Sequence, residues 1–134
     1  MGYQGSTVIP SLRYRDARAA VTWLAEAFGF EERLVVPMDD GRIAHAEMTH
    51  GAGMIMFGSI WDDDLNVTTP EALGGASTHT VFVIVEDPDA HHARAVAAGA
   101  VIVRELRDED YGSRGYSARD PEGHLWSFGT YQPA

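Results

Sequence analysis

The chain contains no cysteine, which excludes disulfides, thiolate nucleophiles and Cys-based zinc sites. Basic residues are scarce: 10 Lys plus Arg stand against 20 Asp plus Glu, a formal net charge of −10. Such a field repels phosphate backbones and anionic lipid surfaces, so neither nucleic acid nor membrane is expected as a partner, whereas a cationic small molecule is tolerated. No apolar run approaches the roughly 20 residues of a membrane span. The opening MGYQGSTVIP lacks a charged segment followed by an apolar one, and a cytoplasmic location is expected by default. At 134 residues the chain can bury a core, as one domain or as two small fused halves.

What is present is a pattern that runs twice. Residues 6–14 (STVIPSLRY) read as a strand with a proline near its start, and Asp16 opens a helix over 17–28 in which Ala20, Val21, Leu24 and Phe28 recur at helical spacing before Gly29. Strands are expected at 30–38, 42–49 and 54–59, the first two joined by an Asp39-Asp40-Gly41 turn. After an aperiodic stretch, residues 79–85 read as a strand, 87–98 as a helix stopped by Gly99, and 100–106, 114–119 and 125–131 as strands. An offset of 71 residues places Asp16 on Asp87, Leu12 on Val83, and MIMFGS (54–59) on LWSFGT (125–130), with one deletion after the helix. The expected class is therefore α+β: two tandem βαβββ modules, 6–59 and 77–132, joined by a linker at 60–76 within one domain spanning 1–134. Modules of this kind cannot close a core alone, so a curved mixed sheet around a central cleft is expected, with the helices outside.

The pieces LRYRDARAAVTWLAEAFGF, FVIVEDPDAHHARAVAAGA and RDPEGHLWSFGTY together resemble the vicinal oxygen chelate superfamily, over almost the whole chain. That group includes glyoxalase I, extradiol dioxygenases, fosfomycin-modifying enzymes and bleomycin-resistance proteins. The resemblance implies a divalent metal held by side chains on the first and last strands of each module, where imidazole and carboxylate leave positions open to polarise vicinal substrate oxygens. It places Ile9, Thr80, Met56 and Ser127 at those positions. Ile and Met offer no suitable donor, and neutral hydroxyls rarely anchor a divalent ion alone, so no metal and no other cofactor is expected. A one-residue shift would put His79 in place of Thr80, still without partners. Asp120, Glu122 and His124 belong on this reading to a DPxG turn rather than a metal loop.

Other polar residues carry less specific signals. His45 and Glu47, at i and i+2, share a strand face and form an acid/base pair, two ligands, or a solvated polar pair. His91 and His92 read as surface residues of the second helix, and Asp62-Asp63-Asp64 lacks the glycine and distal glutamate of a calcium loop. Strand parity puts Ser11, Arg13, Met54, Met56, Thr80, Phe82, Leu125 and Ser127 on the ligand-binding face, with Trp61, Tyr111 and Tyr116 as aromatic walls or ordinary packing. The resemblance thus points to the metal-free, bleomycin-resistance-like branch: a protein that sequesters a planar aromatic or cationic natural product, such as an antibiotic, without chemistry. The alternatives are a metal-dependent lyase or dioxygenase, a metal-free isomerase using His45 and Glu47, and an interaction module with a vestigial cavity. A homodimer is expected, with a linker long enough for its modules to be exchanged between subunits.

Overall fold

The computed structural model describes residues 4–134, so the first three residues of MGYQGSTVIP, where no leader is expected, lie outside the described residues. The chain divides between Thr69 and Pro70 into two compact units, inside the aperiodic stretch. The first unit runs β1 (Ser11–Tyr14), α1 (Ala17–Phe28), β2 (Glu31–Pro37), β3 (Ile43–His50) and β4 (Gly53–Ser59). The second runs β5 (Val81–Ile84), α2 (Pro88–Ala97), β6 (Val101–Asp108), β7 (Arg114–Arg119) and β8 (Leu125–Gly129). Each builds a four-stranded mixed sheet, β1-β4-β3-β2 in one and β5-β8-β7-β6 in the other, with only the first-to-last strand pair parallel.

The internal repeat is visible in the register. Leu12 lies opposite Phe57 in the first sheet, and Val83 opposite Phe128 in the second, each partner 71 residues further on. The helix starts repeat as well: the Asp16 carboxylate accepts from Ala19 N–H at 3.0 Å, and that of Asp87 from Ala90 N–H at 3.1 Å. Each aspartate thereby satisfies one of the backbone donors that a helix leaves open at its first turn. Past the ends, Gly29 (φ 80°) and Gly99 (φ 95°) supply the left-handed backbone that sends the chain back toward its sheet.

Both modules begin with a shorter strand than expected. Before Ser11, the Ser6 hydroxyl donates to Val8 C=O and accepts from Val8 N–H, a local turn, and Pro10 has no N–H for a ladder. Residues 79 and 80 likewise precede β5.

One face of each sheet packs under its own helix. In the first unit Leu12, Tyr14, Leu24, Phe28, Met48 and Phe57 are buried, with the Tyr14 and Phe57 rings edge-to-face at 5.1 Å. In the second, Tyr116, Ala118, Trp126 and Phe128 are buried beneath α2. That helix presents few apolar residues, burying only Pro88 and Ala95, and His91 completes its packing face. Its imidazole lies 4.3 Å from the Phe128 ring, and its Nδ1 is 2.6 Å from the Tyr116 hydroxyl. His91 is therefore a packing residue rather than the surface residue expected, because the helix has no large apolar side chain to put there.

The aperiodic stretch is anchored at both ends. The Ile60 N–H bonds Tyr14 C=O at 3.2 Å, and Asp63 pairs with Arg13 at 2.9 Å while accepting from Leu65 N–H. Beyond Thr69, a one-turn 3₁₀ helix (Glu71–Leu73) sits against the DPEG turn, where Glu71 N–H reaches Glu122 C=O.

Candidate functional site

The helix-free face of the second sheet follows from strand alternation. Val83 and Phe128 point toward the helix side, so Phe82, Ile84, Ser127 and Ser117 point the other way. Phe82 and Ile84 remain 46% and 43% exposed, an apolar surface left uncovered by the unit's own helix. Beside them the sheet is almost bare. Gly115 and Gly129 lie opposite each other on β7 and β8, and a Cβ on Gly115 would come within 2.3 Å of Phe128 C=O. Only glycine fits there, so the strand pair offers a flat backbone floor next to the Phe82 ring. On this floor the Ser117 and Ser127 hydroxyls are 2.7 Å apart and hydrogen-bonded to each other. Thr80 donates to Leu125 C=O at 3.2 Å, and Leu125 stands partly exposed at the end of the row.

The equivalent face of the first sheet is charged. Ser11 is exposed opposite Met56, and Met56 lies opposite Glu47. His45 Nε2 is 2.8 Å from Glu47 Oε2, and the other Glu47 oxygen accepts from Arg33 on β2. The imidazole hydrogen bond, and after it that of Arg33, hold the Glu47 carboxyl below its ordinary value against some desolvation. Arg13 projects from β1 on the same side and is tied to Asp63, whose carboxyl that bond lowers in turn. Trp61 is half-buried, with the Arg42 guanidinium 4.5 Å from the centre of its ring.

Two of the expected lining residues are placed elsewhere. Tyr116 has the opposite parity from Ser117; it is buried beneath α2, where desolvation raises its hydroxyl well above the usual phenol range. It is a core residue, not a ligand wall. Met54 shares the parity of Met56 but is only 5% exposed, at the end of β4 where the segment before β1 runs past and Ser6 N–H bonds Ala52 C=O. Tyr111 lies in the exposed β6–β7 turn, against Tyr131. Neither Arg33 as a partner of Glu47 nor Asp63 as a partner of Arg13 is marked by the sequence pattern. Both act through partners distant in the chain, and a β-bulge between Glu32 and Leu34 blurs the parity that would have flagged Arg33.

The DPEGH stretch is a turn. The Asp120 carboxylate accepts from the backbone N–H groups of Glu122 and His124 and from the Trp126 indole, and Gly123 takes φ 89°. Among the described residues, no three His, Asp or Glu side chains converge as a metal site would require.

Residues 6–128 match the Glyoxalase/Bleomycin resistance protein/Dioxygenase superfamily. The chain belongs to this superfamily. An uncharacterized protein of Mycobacterium bovis is 35% identical over 126 residues, covering 90% of this chain and 80% of its own. The crystal structure of TioX from Micromonospora sp. ML1 is 38% identical with a TM-score of 0.74, covering 96% of this chain and 98% of that one. The fosfomycin resistance protein FosX from Mesorhizobium loti shares the fold at 13% identity, TM-score 0.63, covering 95% and 92% of the two chains. The superfamily's enzymes imply a divalent metal, and the residues that the resemblance sets at its ligand positions do not fit one. Ile9 and Met56 carry no hard donor, and Thr80 and Ser127 offer only neutral hydroxyls, which rarely anchor a divalent ion without carboxylate or imidazole partners. No described helix is long and apolar enough to cross a membrane.

Proposed function

We propose that this superfamily member is a cytoplasmic small-molecule binding protein that holds a planar aromatic natural product, such as an antibiotic, without transforming it and without a metal. The observation that carries this reading is the open face of the second sheet, where Phe82 and Ile84 stand exposed beside a glycine floor. Exposed apolar surface beside a flat backbone is the surface a planar ring would cover with gain. The poor donors at the four metal positions and the acidic chain, which accommodates cationic substituents, agree with it. We further infer a homodimer, in keeping with the superfamily's paired modules, for which sedimentation at micromolar concentration is the check.

Titration with planar aromatic antibiotics, followed by tryptophan fluorescence, tests the reading. A bound compound recovered with unchanged mass, from protein whose melting temperature is indifferent to chelator, is the expected result. Turnover of the compound, or stoichiometric metal with a loss of stability on chelation, would replace it with the second reading. That reading is an enzyme: a metal-free isomerase using His45 and Glu47, favoured by their 2.8 Å contact, or a metal-dependent lyase or dioxygenase.

A further inference from the structure

One row of side chains crosses the open face of the second sheet from edge to edge. Phe82 on β5 lies opposite Ser127 on β8, Ser127 opposite Ser117 on β7, and Ser117 opposite Arg104 on β6. Residues directly opposite in a ladder share a face, so all four project to the side away from α2. Three strand spacings of about 4.8 Å set the outer two roughly 14 Å apart along the backbone. The ends differ in chemistry: an aromatic ring at one, a guanidinium at the other.

The polar members of the row have hydrogens to give. The two serine hydroxyls carry two hydrogens, and the 2.7 Å contact between them uses one. Neither hydroxyl has a further acceptor among the described residues, so the pair keeps one hydrogen for a ligand. Arg104 is exposed and makes no hydrogen bond or ion pair to a described residue. The acids of its own strand are engaged on the helix side, Glu105 with His92 and Asp108 with Arg114, while Glu109 holds Arg107. Arg119, two residues along β7 on the open face, donates to neutral acceptors, the Ser77 hydroxyl and Gly123 C=O. The net charge of −10 belongs to the whole chain, but a Debye length of about 8 Å leaves a ligand to sense mainly the groups beside it.

We propose that this row binds an aromatic carboxylate. A fused planar ring lies against Phe82 and the glycine floor, and its carboxylate accepts from Arg104 and from the remaining serine hydrogen. Two carboxylate oxygens suit a guanidinium and a hydroxyl side by side. This assignment rests on the binding function proposed above and names an acid, rather than a cation, as the class of compound bound.

The probes are 2-naphthoate, its neutral isostere 2-naphthamide, and 2-naphthylmethylammonium. Equilibrium dialysis with the full chain near neutral pH should give 2-naphthoate about tenfold tighter binding than the amide, the worth of hydrogen bonds to a charged group. The ammonium compound should bind most weakly, and added salt should weaken the acid more than the amide. The preference for the acid should vanish in Arg104→Gln and persist in part in Arg104→Lys. Replacing both Ser117 and Ser127 by Ala should weaken acid and amide together, since each gives an oxygen to the shared hydrogen. Equal affinity for acid and amide, tighter binding of the ammonium compound, or a preference that survives Arg104→Gln overturns the assignment and leaves the binding function standing. Binding of none of the three overturns both.

Discussion

The Trp126 indole donates a 3.1 Å hydrogen bond to Asp120 Oδ2, and both side chains are almost sealed from water. The other carboxylate oxygen accepts from two backbone N–H groups of the turn, so one side chain satisfies three buried donors. Asp120→Ala should cost at least about 3 kcal/mol, because each of the three buried donors left unpaired costs roughly 1–3 kcal/mol. Asp120→Asn should cost less, since one acceptor oxygen remains. Denaturant unfolding of the two variants checks the order.

Phe82→Ala should be a clean binding probe. A fully buried phenylalanine costs about 3–5 kcal/mol when truncated, but this ring is half exposed, so a loss under about 1.5 kcal/mol is expected. Affinity for a planar aromatic should fall about tenfold. An affinity unchanged in the titration would remove the second sheet from the site.

Trp61→Ala tests the other aromatic surface. Arg42 covers one face of that indole, and an exposed contact of this type is worth about 0.5–1 kcal/mol, so stability should move by no more than that. A ligand stacked on the remaining face would lose about tenfold in affinity.

His50 supplies a pH dependence. Half-buried against the Phe30 ring, it has its pKa pushed below the ordinary 6.5 by desolvation. On acidification the unfolded chain therefore binds the proton first, and stability falls as pH drops through about 6.5 toward the lowered folded value. Melting temperature should decline between roughly pH 7.5 and 5.5. In His50→Gln that decline should be shallower. Glu47, lowered mainly by its hydrogen bond to His45, adds a further loss below its ordinary 4.5.

The fold was legible because each module punctuates itself. Asp16 and Asp87 mark the helix starts, Gly29 and Gly99 the ends, and the alternation of β4 and β8 fixed which residues face the helices. Parity also puts Phe82 on the face away from the helix, where its ring is exposed. It did not place Tyr116, whose size and aromaticity suit a ligand wall as well as a core. Nor did it find Asp63, since an aspartate in a polar run gives no sign of the arginine 50 residues away that holds it. His91 was misread because a histidine on an alanine-rich helix looks solvated until the Tyr116 hydroxyl beneath it is known.

The shared register has a consequence for how the two copies have diverged. Under the helices the rows repeat, Leu12–Phe57 as Val83–Phe128. On the open faces they do not: Ser11 and Arg13 of β1 correspond to Phe82 and Ile84 of β5. Across Met56 and Ser127, likewise, Glu47 corresponds to Ser117. Packing constrains the buried row of a duplicated module, whereas the outer row can drift without cost to folding. One copy has become a charged surface and the other a bare apolar one, so altered ligand preference should be reachable through substitutions confined to those outer rows.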